Sequence, residues 1–264
     1  MQKVFEALTS AFRNGDGLMT EATYVRIVSK YSTLFEESDT IFILLQASGY
    51  PIEQTGEGYC FPPFFNDYKE QKFCIIDIET NGSKPGTSQV IEIGAVMVQG
   101  DQIIDSYETF VECTFLPEYI TKITGIEIED LIGAPSRKEA LIGLRHFMGD
   151  AIFVAHNANF DYSFLNASFE RFGLGNIGNL TLCTIELARR TFESERYGLA
   201  YLIDFLEIET ATHHRAYSDA LCAMKVMDKS FETLPTYVET SDELLRFSSS
   251  SKKERRLKKE SRES

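Results

Sequence analysis

Two carboxylates stand two residues apart at the end of an apolar run, in the segment Phe73-Cys74-Ile75-Ile76-Asp77-Ile78-Glu79. Alternate side chains of a β-strand point to the same face, so this pattern places Asp77 and Glu79 side by side. The apolar residues before them are typical of a strand that is covered on both faces. Two like charges in such a place are destabilising unless a cation lies between them. Taken alone, an Asp-x-Glu pair is more often a strand that runs out into a polar turn, and only the rest of the chain favours a different interpretation.

Two later segments carry further acids in similar positions. Asp161 follows the apolar strand that ends at His156, and the pattern places it at the start of a helix. Asp219 lies in the first turns of a helix rich in Ala, Leu and Met, just after His213 and His214. Taken alone, Asp161 is an ordinary acid at a helix N-terminus, and Asp219 is an ordinary solvent-facing aspartate. Their occurrence in one chain with Asp77 and Glu79 favours a shared catalytic site.

Together these segments resemble the DnaQ-like 3′→5′ exonucleases of the DEDDh type. That family carries Asp-x-Glu, Asn-x-x-Phe-Asp and His-x4-Asp in this order. The matching segments are Asp77–Glu79, Asn157–Asp161 and His214–Asp219, and the spacing selects His214 over His213. Two further segments, Gln89–Ala95 and Ile123–Ile126, are also similar to proofreading exonucleases. Each motif alone is weak, but three in order over residues 73–227 make the resemblance specific.

The resemblance implies a ribonuclease H-like α/β fold, with a mixed five-stranded sheet and flanking helices. It also implies two Mg²⁺ or Mn²⁺ ions, with Asp77 shared between them, Glu79 and Asp219 on one ion, and Asp161 on the other. The residue types suit this chemistry, because hard divalent cations prefer oxygen ligands. Phosphodiester hydrolysis needs an activated water and cover for charge on the leaving oxygen, and two ions about 3.5–4 Å apart supply both.

The resemblance assigns roles to four other residues. His214 is the expected general base, since an imidazole with a pKa of about 6.5 is largely neutral at working pH and can accept a proton. The Asn157 side chain is expected to support the metal ligands without binding the ions itself. Thr80 and Thr124 match the positions that hold the terminal nucleotide, although many family members carry a histidine where this chain has Thr124.

Within the family, the motifs look most like the proofreading exonucleases of bacterial replicative polymerases, either the epsilon subunit of DNA polymerase III or the related PolC insert. This implies a single-stranded 3′ end of DNA as substrate and the catalytic subunit of a polymerase as partner. An RNase T-like enzyme that trims RNA 3′ ends is the alternative. An inactive nuclease fold kept as a scaffold is a further alternative, and retention of all five catalytic-type residues argues against it.

Residues 1–66 are predicted to form a separate small module. The pattern indicates helices at Lys3–Arg13, Glu21–Tyr31 and Glu37–Ala47, followed by a β-hairpin over Pro51–Phe61. This order suggests a winged-helix-like module. It carries four Lys or Arg against eight Asp or Glu, so a docking or structural role is favoured over DNA reading.

The exonuclease domain is predicted to span residues 73–232. Strands are expected at 73–78, 89–98, 102–111, 151–155 and 180–182, the first three as antiparallel neighbours. Helices are expected at 137–148, 160–172, 186–192, 199–206 and 217–231. Mixed strands with helices on both faces fit this order. Residues 248–264 are predicted to be a disordered, charged tail.

Charge and cysteine content limit the possible partners and compartments. The net charge is −14, and the tail from Lys252 carries +4, so the remainder carries −18 and cannot bind long nucleic acids through counterion release. No apolar run could cross a bilayer, and the five cysteines show no Cys-x-x-Cys pair. We expect a cytoplasmic protein without membrane association, disulfides or zinc. Residues 242–247 loosely resemble a sliding-clamp peptide, but an ordinary amphipathic helix is the stronger interpretation.

Overall fold

The computed structural model describes residues 1–31, 38–209 and 215–250. The N-terminal module contains α1 (Gln2–Asn14), β1 (Leu18–Met19), α2 (Glu21–Val28), α3 (Ser38–Ala47), β2 (Glu53–Thr55) and β3 (Gly58–Cys60). The three strands form an antiparallel sheet in the order β1-β3-β2. Three helices and a small antiparallel sheet are the elements that a winged-helix-like module requires, and that assignment stays a prediction. Its core is aromatic, and Phe12 stacks on Phe61 at a ring-centre distance of 5.4 Å.

The nuclease part is built on a mixed five-stranded sheet. Its strands are β4 (Lys72–Thr80), β5 (Val90–Gln99), β6 (Gln102–Phe110), β7 (Ile152–Ala155) and β8 (Thr181–Cys183). The strand order is β6-β5-β4-β7-β8, with β4, β5 and β6 antiparallel and β7 and β8 parallel to β4. The predicted ribonuclease H-like sheet is confirmed.

Helices cover both faces of this sheet. They are α4 (Glu118–Thr124), α5 (Ile128–Leu131), α6 (Arg137–Met148), α7 (Ala158–Arg171), α8 (Thr184–Thr191), α9 (Leu199–Phe205), α10 (Ala216–Phe231) and α11 (Ser241–Ser249). One core layer lies between the sheet and α6 with α7, and the other lies between the sheet and α8, α10 and α11. The central strand β4 is therefore buried on both sides, as its apolar run predicted.

Helices α4 and α5 were not among the expected helices of the nuclease domain, whereas α11 contains the amphipathic helix that was the stronger interpretation of residues 242–247. The first two are short, and α4 ends at Gly125, whose φ of 70° suits glycine. Helix α11 begins with a capping box between Thr240 and Glu243 and continues through Ser249. Ser248 and Ser249, which were predicted to begin the tail, therefore belong to this helix, and residues 251–264 lie outside the described residues.

The N-terminal module packs against the nuclease part through polar contacts. Arg13 of α1 forms an ion pair with Asp242 of α11 at 2.7 Å, and the Asp242 side chain is 1% exposed. The Ser48 carbonyl accepts hydrogen bonds from Arg145 at 2.8 Å and from the Gly178 amide at 2.7 Å. The division into a module at 1–66 and a nuclease domain at 73–232 stays a proposal. If it is correct, these contacts join the two units.

Among the described residues, no helix is both long and apolar enough to cross a membrane. The sequence likewise contains no apolar run long enough to cross a bilayer.

Candidate active site

Strand β4 presents the first two acids on one face. Asp77 and Glu79 are both half-buried and both lie on the side of the sheet that α10 covers. They are positioned by the antiparallel ladder with β5, in which Asp77 is opposite Gly94 and Glu79 is opposite Glu92. The predicted same-face arrangement is therefore what the strand produces.

Helix α10 brings the third acid to the same place. One carboxylate oxygen from each of Asp77, Glu79 and Asp219 lies within 4.8 Å of the other two. The helix reaches the sheet because Gly94 has no side chain. A Cβ there would lie 2.1 Å from the Tyr217 amide nitrogen, far inside van der Waals contact. Gly94 thus sets the close approach that carries Asp219 to Asp77.

Asp161 joins the cluster from α7 and is only 3% exposed. Its carboxylate accepts hydrogen bonds from its own amide and from the amide of Ile78, the residue between Asp77 and Glu79. Strand β7 pairs with β4 only as far as Ile75, so the Ile78 amide is left for this contact. The hydrogen bond fixes Asp161 against the strand that carries the first two acids.

The metal-free acids carry strongly perturbed pKa values. Burial, followed by the charges of Asp161, Asp219 and Glu79, raises the pKa of Asp77 well above its ordinary value. Burial and the charge of Asp219 raise the pKa of Glu79 to about 8. Burial raises the pKa of Asp161 to about 7, against the lowering effect of its two amide hydrogen bonds. In the absence of a cation, the fold thus favours protonated acids at this site.

The donor set fits divalent metal ions. It consists of carboxylate oxygens that converge on one point, are held by rigid elements, and repel one another when ionised. A divalent cation would remove this repulsion and restore the ionised forms. Asp77, Glu79 and Asp219 could hold one ion, and Asp161, whose charge acts on Asp77, could contribute to a second.

Three other residues with predicted roles at the site lie in the described part of the chain. Their observed contacts and conformations involve the backbone. The Thr80 hydroxyl donates to the Gly82 carbonyl at 2.8 Å, and the Thr124 hydroxyl donates to the Ile120 carbonyl at 3.0 Å. Asn157 is exposed and takes a φ of 73°, a left-handed conformation that asparagine tolerates, at the turn from β7 into α7. Contacts of Thr80 and Thr124 with a nucleotide, and the support from the Asn157 side chain, stay predictions.

His213 and His214 lie outside the described residues. The described chain resumes at Arg215, which directly follows His214 and precedes α10. The assignment of His214 as general base therefore stays a prediction.

The sequence analysis gave no role to Glu92 or to His156. Glu92 is 1% exposed and forms an ion pair with Arg215 at 2.7 Å. His156 donates from Nε2 to the Tyr197 carbonyl at 2.9 Å, so its Nδ1 accepts from the Thr184 hydroxyl at 2.8 Å. Burial lowers the pKa of His156 to about 4, so this imidazole is neutral. The sequence could have revealed the ion pair of Glu92, because a charged side chain between Ile91 and Ile93 in an apolar strand needs a partner.

Comparison with known proteins places these motifs in a family. The exonuclease family model (RNase_T) matches residues 74–227. Among curated proteins, the chain is 38% identical over 167 residues to the PolC-type DNA polymerase III of Caldanaerobacter subterraneus subsp. tengcongensis. It is also 38% identical over 167 residues to that of Staphylococcus haemolyticus. These matches cover 62% of this chain but only 12% of each relative.

Solved structures share the fold. Escherichia coli exonuclease I in complex with a dT13 oligonucleotide superposes with a TM-score of 0.55 at 16% identity, over 62% of this chain and 41% of that one. Exonuclease X in complex with 5′ overhanging duplex DNA gives a TM-score of 0.50 at 23% identity, over 65% of this chain and 99% of that one. The likeness supports the same sheet and helix arrangement.

The acid cluster predicts that metal-free protein loses stability as pH rises from 6 to 9. The raised pKa values mean that the folded state keeps protons that the unfolded state has already released, so unfolding becomes more favourable as pH rises through this window. The apparent Tm in EDTA should fall, at about 2–4 °C per kcal/mol for a protein of this size. Differential scanning fluorimetry measures it.

Asp77→Asn should flatten this pH dependence, because it removes one of the acids whose pKa is raised in the folded state. Glu57→Gln, at an exposed position of the N-terminal hairpin, is the matched control and should leave it unchanged. Millimolar Mg²⁺ should raise the Tm of the wild type most at pH 9. A metal-free Tm that rises between pH 6 and 9 would contradict the electrostatic description.

Proposed function

The chain belongs to the exonuclease family, and from this premise we propose that it hydrolyses DNA from the 3′ end and releases nucleoside 5′-monophosphates. The observation that carries the proposal is the convergence of Asp77, Glu79 and Asp219 within 4.8 Å, with Asp161 hydrogen-bonded to the same strand. Such a set of oxygen donors is suited to phosphodiester hydrolysis assisted by divalent cations. Loss of any one of these acids would disable the site, and all are present.

The protein residues contribute position and charge. Two Mg²⁺ or Mn²⁺ ions would supply Lewis-acid activation of the attacking water and stabilisation of the leaving 3′ oxygen. Asp77 lies at the centre of the cluster, Glu79 and Asp219 flank it on the α10 side, and Asp161 lies on the α7 side. The rigid β4 strand fixes the separation of the first two acids, so little reorganisation is needed when ions and substrate bind.

His214 is the proposed general base. It precedes Arg215, whose guanidinium is 2.7 Å from Glu92, so the chain is anchored to β5 one residue after His214. As general base, the His214 imidazole would take the proton from the attacking water. The His-x4-Asp spacing to Asp219 supports this role, and His213 does not share it.

DNA is the proposed substrate because the curated relatives at 38% identity are DNA polymerases by name. The chain spans about 12% of their length, so their activity enters here only as support for a proposal. Proofreading of a 3′ end made by a replicative polymerase is the proposed biological role. The acidic surface disfavours an RNase T-like enzyme that binds RNA through basic patches.

A polymerase catalytic subunit is the proposed partner. The acidic nuclease part repels a duplex, so the substrate end must be presented by another protein. Helix α3 offers a docking surface, because Thr40, Ile43, Leu44 and Ala47 follow helical spacing and are all exposed. Ile43 is 64% exposed and the adjacent Leu44 is 42% exposed, so two large apolar side chains lie together on this surface.

The sliding-clamp interpretation of residues 242–247 is weakened by the packing of α11. Leu244, Leu245 and Phe247 are 0%, 7% and 5% exposed and belong to the core layer under α8 and α10. These are the side chains that a clamp would have to bind. The ordinary amphipathic helix is the better description.

Divalent-cation dependence is the first prediction for activity. Excess EDTA should abolish release of mononucleotides from a 3′-labelled single strand. Asp77→Asn should reduce it below detection while the fold is retained, and Glu118→Gln, at a side chain that is 93% exposed, should match the wild type.

Matched DNA and RNA strands in the same assay discriminate the substrate classes. Faster turnover of DNA, and removal of a mispaired primer terminus, are expected. Robust activity in EDTA would refute the mechanism, and a preference for RNA would refute the proposed substrate.

The second activity prediction separates the two histidines. His214→Ala should lower turnover by roughly 10²–10⁴-fold, the usual size of a general-base contribution. His213→Ala should have a far smaller effect, because only His214 has the required spacing to Asp219. Single-turnover kinetics at saturating Mn²⁺ measures both, and equal losses would show that the register of the motif was misassigned.

The third prediction concerns docking. The full chain should bind the catalytic subunit of the replicative polymerase from the same organism in a pull-down. Ile43→Asp should weaken the complex, whereas Ile132→Asp, at a side chain in the nuclease part that is 71% exposed, should not. Absence of binding by the full chain would favour a free-standing nuclease.

A further inference from the structure

A fifth carboxylate lies in the wall of the site. Glu92 of β5 is opposite Glu79 in the β4–β5 ladder and is 1% exposed. The acid motifs give it no role, yet it lies on the same sheet face as Asp77 and Glu79. A buried ionised carboxylate persists only where its oxygens are hydrogen-bonded and its charge is paired.

Both oxygens of Glu92 are already engaged. Oε1 accepts from Arg215 Nε at 3.0 Å and from Nη2 at 2.7 Å, and Oε2 accepts from the Ala216 amide at 3.1 Å. These partners are the last residue before α10 and the first residue of α10. Glu92 thus binds the beginning of this helix by three charge-assisted hydrogen bonds.

Two neighbours complete this arrangement. The Arg215 guanidinium lies 5.2 Å from the ring centre of Phe110, which is opposite Glu92 on β6. Two residues along β5, Gly94 allows the backbone of α10 to lie directly on the strand, where a Cβ would be 2.3 Å from the Ala216 carbonyl carbon. Glu92 therefore fixes the start of α10 by hydrogen bonds, and Gly94 determines how closely the helix approaches the sheet.

Asp219 lies three residues, or just under one helical turn, after Ala216. A displacement at the start of α10 would therefore move Asp219 by a similar amount. Asp77 and Glu79 would stay in place, because the β4–β5 ladder holds them independently of α10.

We propose that Glu92 is a positioning residue that, through Arg215 and the Ala216 amide, holds Asp219 at the distance from Asp77 and Glu79 that a divalent cation requires. Its role is distinct from that of a metal ligand, because both of its oxygens accept hydrogen bonds from the start of α10. The proposal rests on the metal-dependent function proposed above. It assigns a separate role to a carboxylate that the acid motifs do not include.

Glu92→Gln tests the proposal by removing the charge at nearly constant volume. The concentration of Mn²⁺ that gives half-maximal hydrolysis should rise by roughly 10–100-fold, the range seen when residues that orient metal ligands are changed. Turnover at saturating Mn²⁺ should stay within a few-fold of the wild type. A role in stability alone would lower the Tm without changing the Mn²⁺ dependence.

Matched variants keep the test interpretable if Glu92→Gln folds poorly. Arg215→Lys keeps the charge, and its side chain is 39% exposed, so it should fold and shift the Mn²⁺ dependence in the same direction by a smaller amount. Glu186→Gln removes an ion pair with Arg190 in α8, away from the acids, and should leave the Mn²⁺ dependence of hydrolysis unchanged. Circular dichroism verifies folding of each variant.

Direct Mn²⁺ binding, measured by electron paramagnetic resonance without nucleic acid, separates the two proposals. If the wild type binds no Mn²⁺, the metal-dependent function fails, and the positioning role fails with it. If the wild type binds Mn²⁺ and both Glu92→Gln and Arg215→Lys bind it equally well, only the positioning role is refuted. Weaker binding by these two variants, with Glu186→Gln unchanged, supports it.

Discussion

Repulsion between clustered carboxylates is the constraint on which this structure depends. Two unit charges about 4 Å apart repel by about 4 kcal/mol at an effective dielectric near 20. The fold brings three acids within 4.8 Å and adds a fourth that is almost fully buried. The pKa values of Asp77, Glu79 and Asp161 are raised as a result, and divalent cations would allow the ionised forms to return. The metal-loaded state is the one proposed to act on a phosphodiester.

The backbone achieves this concentration of charge through a few specific features. Gly94 lets α10 lie on the sheet, and the left-handed turn at Asn157 leads β7 into α7, where Asp161 reaches the free amide of Ile78. Each feature lies on a regular element or at its end. Side chains on strands and at helix starts are positioned more precisely than side chains on loops. This suits the proposed hydrolysis, because it depends on the separation of two ions.

Most of the fold, and the acids that form the cluster, could be predicted from the sequence. Apolar periodicity located the sheet strands of the nuclease part, and the Asp-x-Glu alternation placed two carboxylates on one face. It did not reveal α4 and α5, because short helices carry little periodicity. It also did not reveal the Glu92–Arg215 pair, whose members are 123 residues apart and meet only when α10 docks on β5.

The central claim is that Asp77, Glu79, Asp161 and Asp219 form a binding site for divalent cations that serves hydrolysis at a 3′ end. A crystal structure with Mn²⁺ and a nucleoside 5′-monophosphate, with data collected at the manganese edge, tests it most directly. The account predicts an anomalous peak between Asp77, Glu79 and Asp219, a second peak between Asp77 and Asp161, and the phosphate bound to both ions. Anomalous density absent from these carboxylates at saturating Mn²⁺, or a nucleotide bound elsewhere, would contradict it.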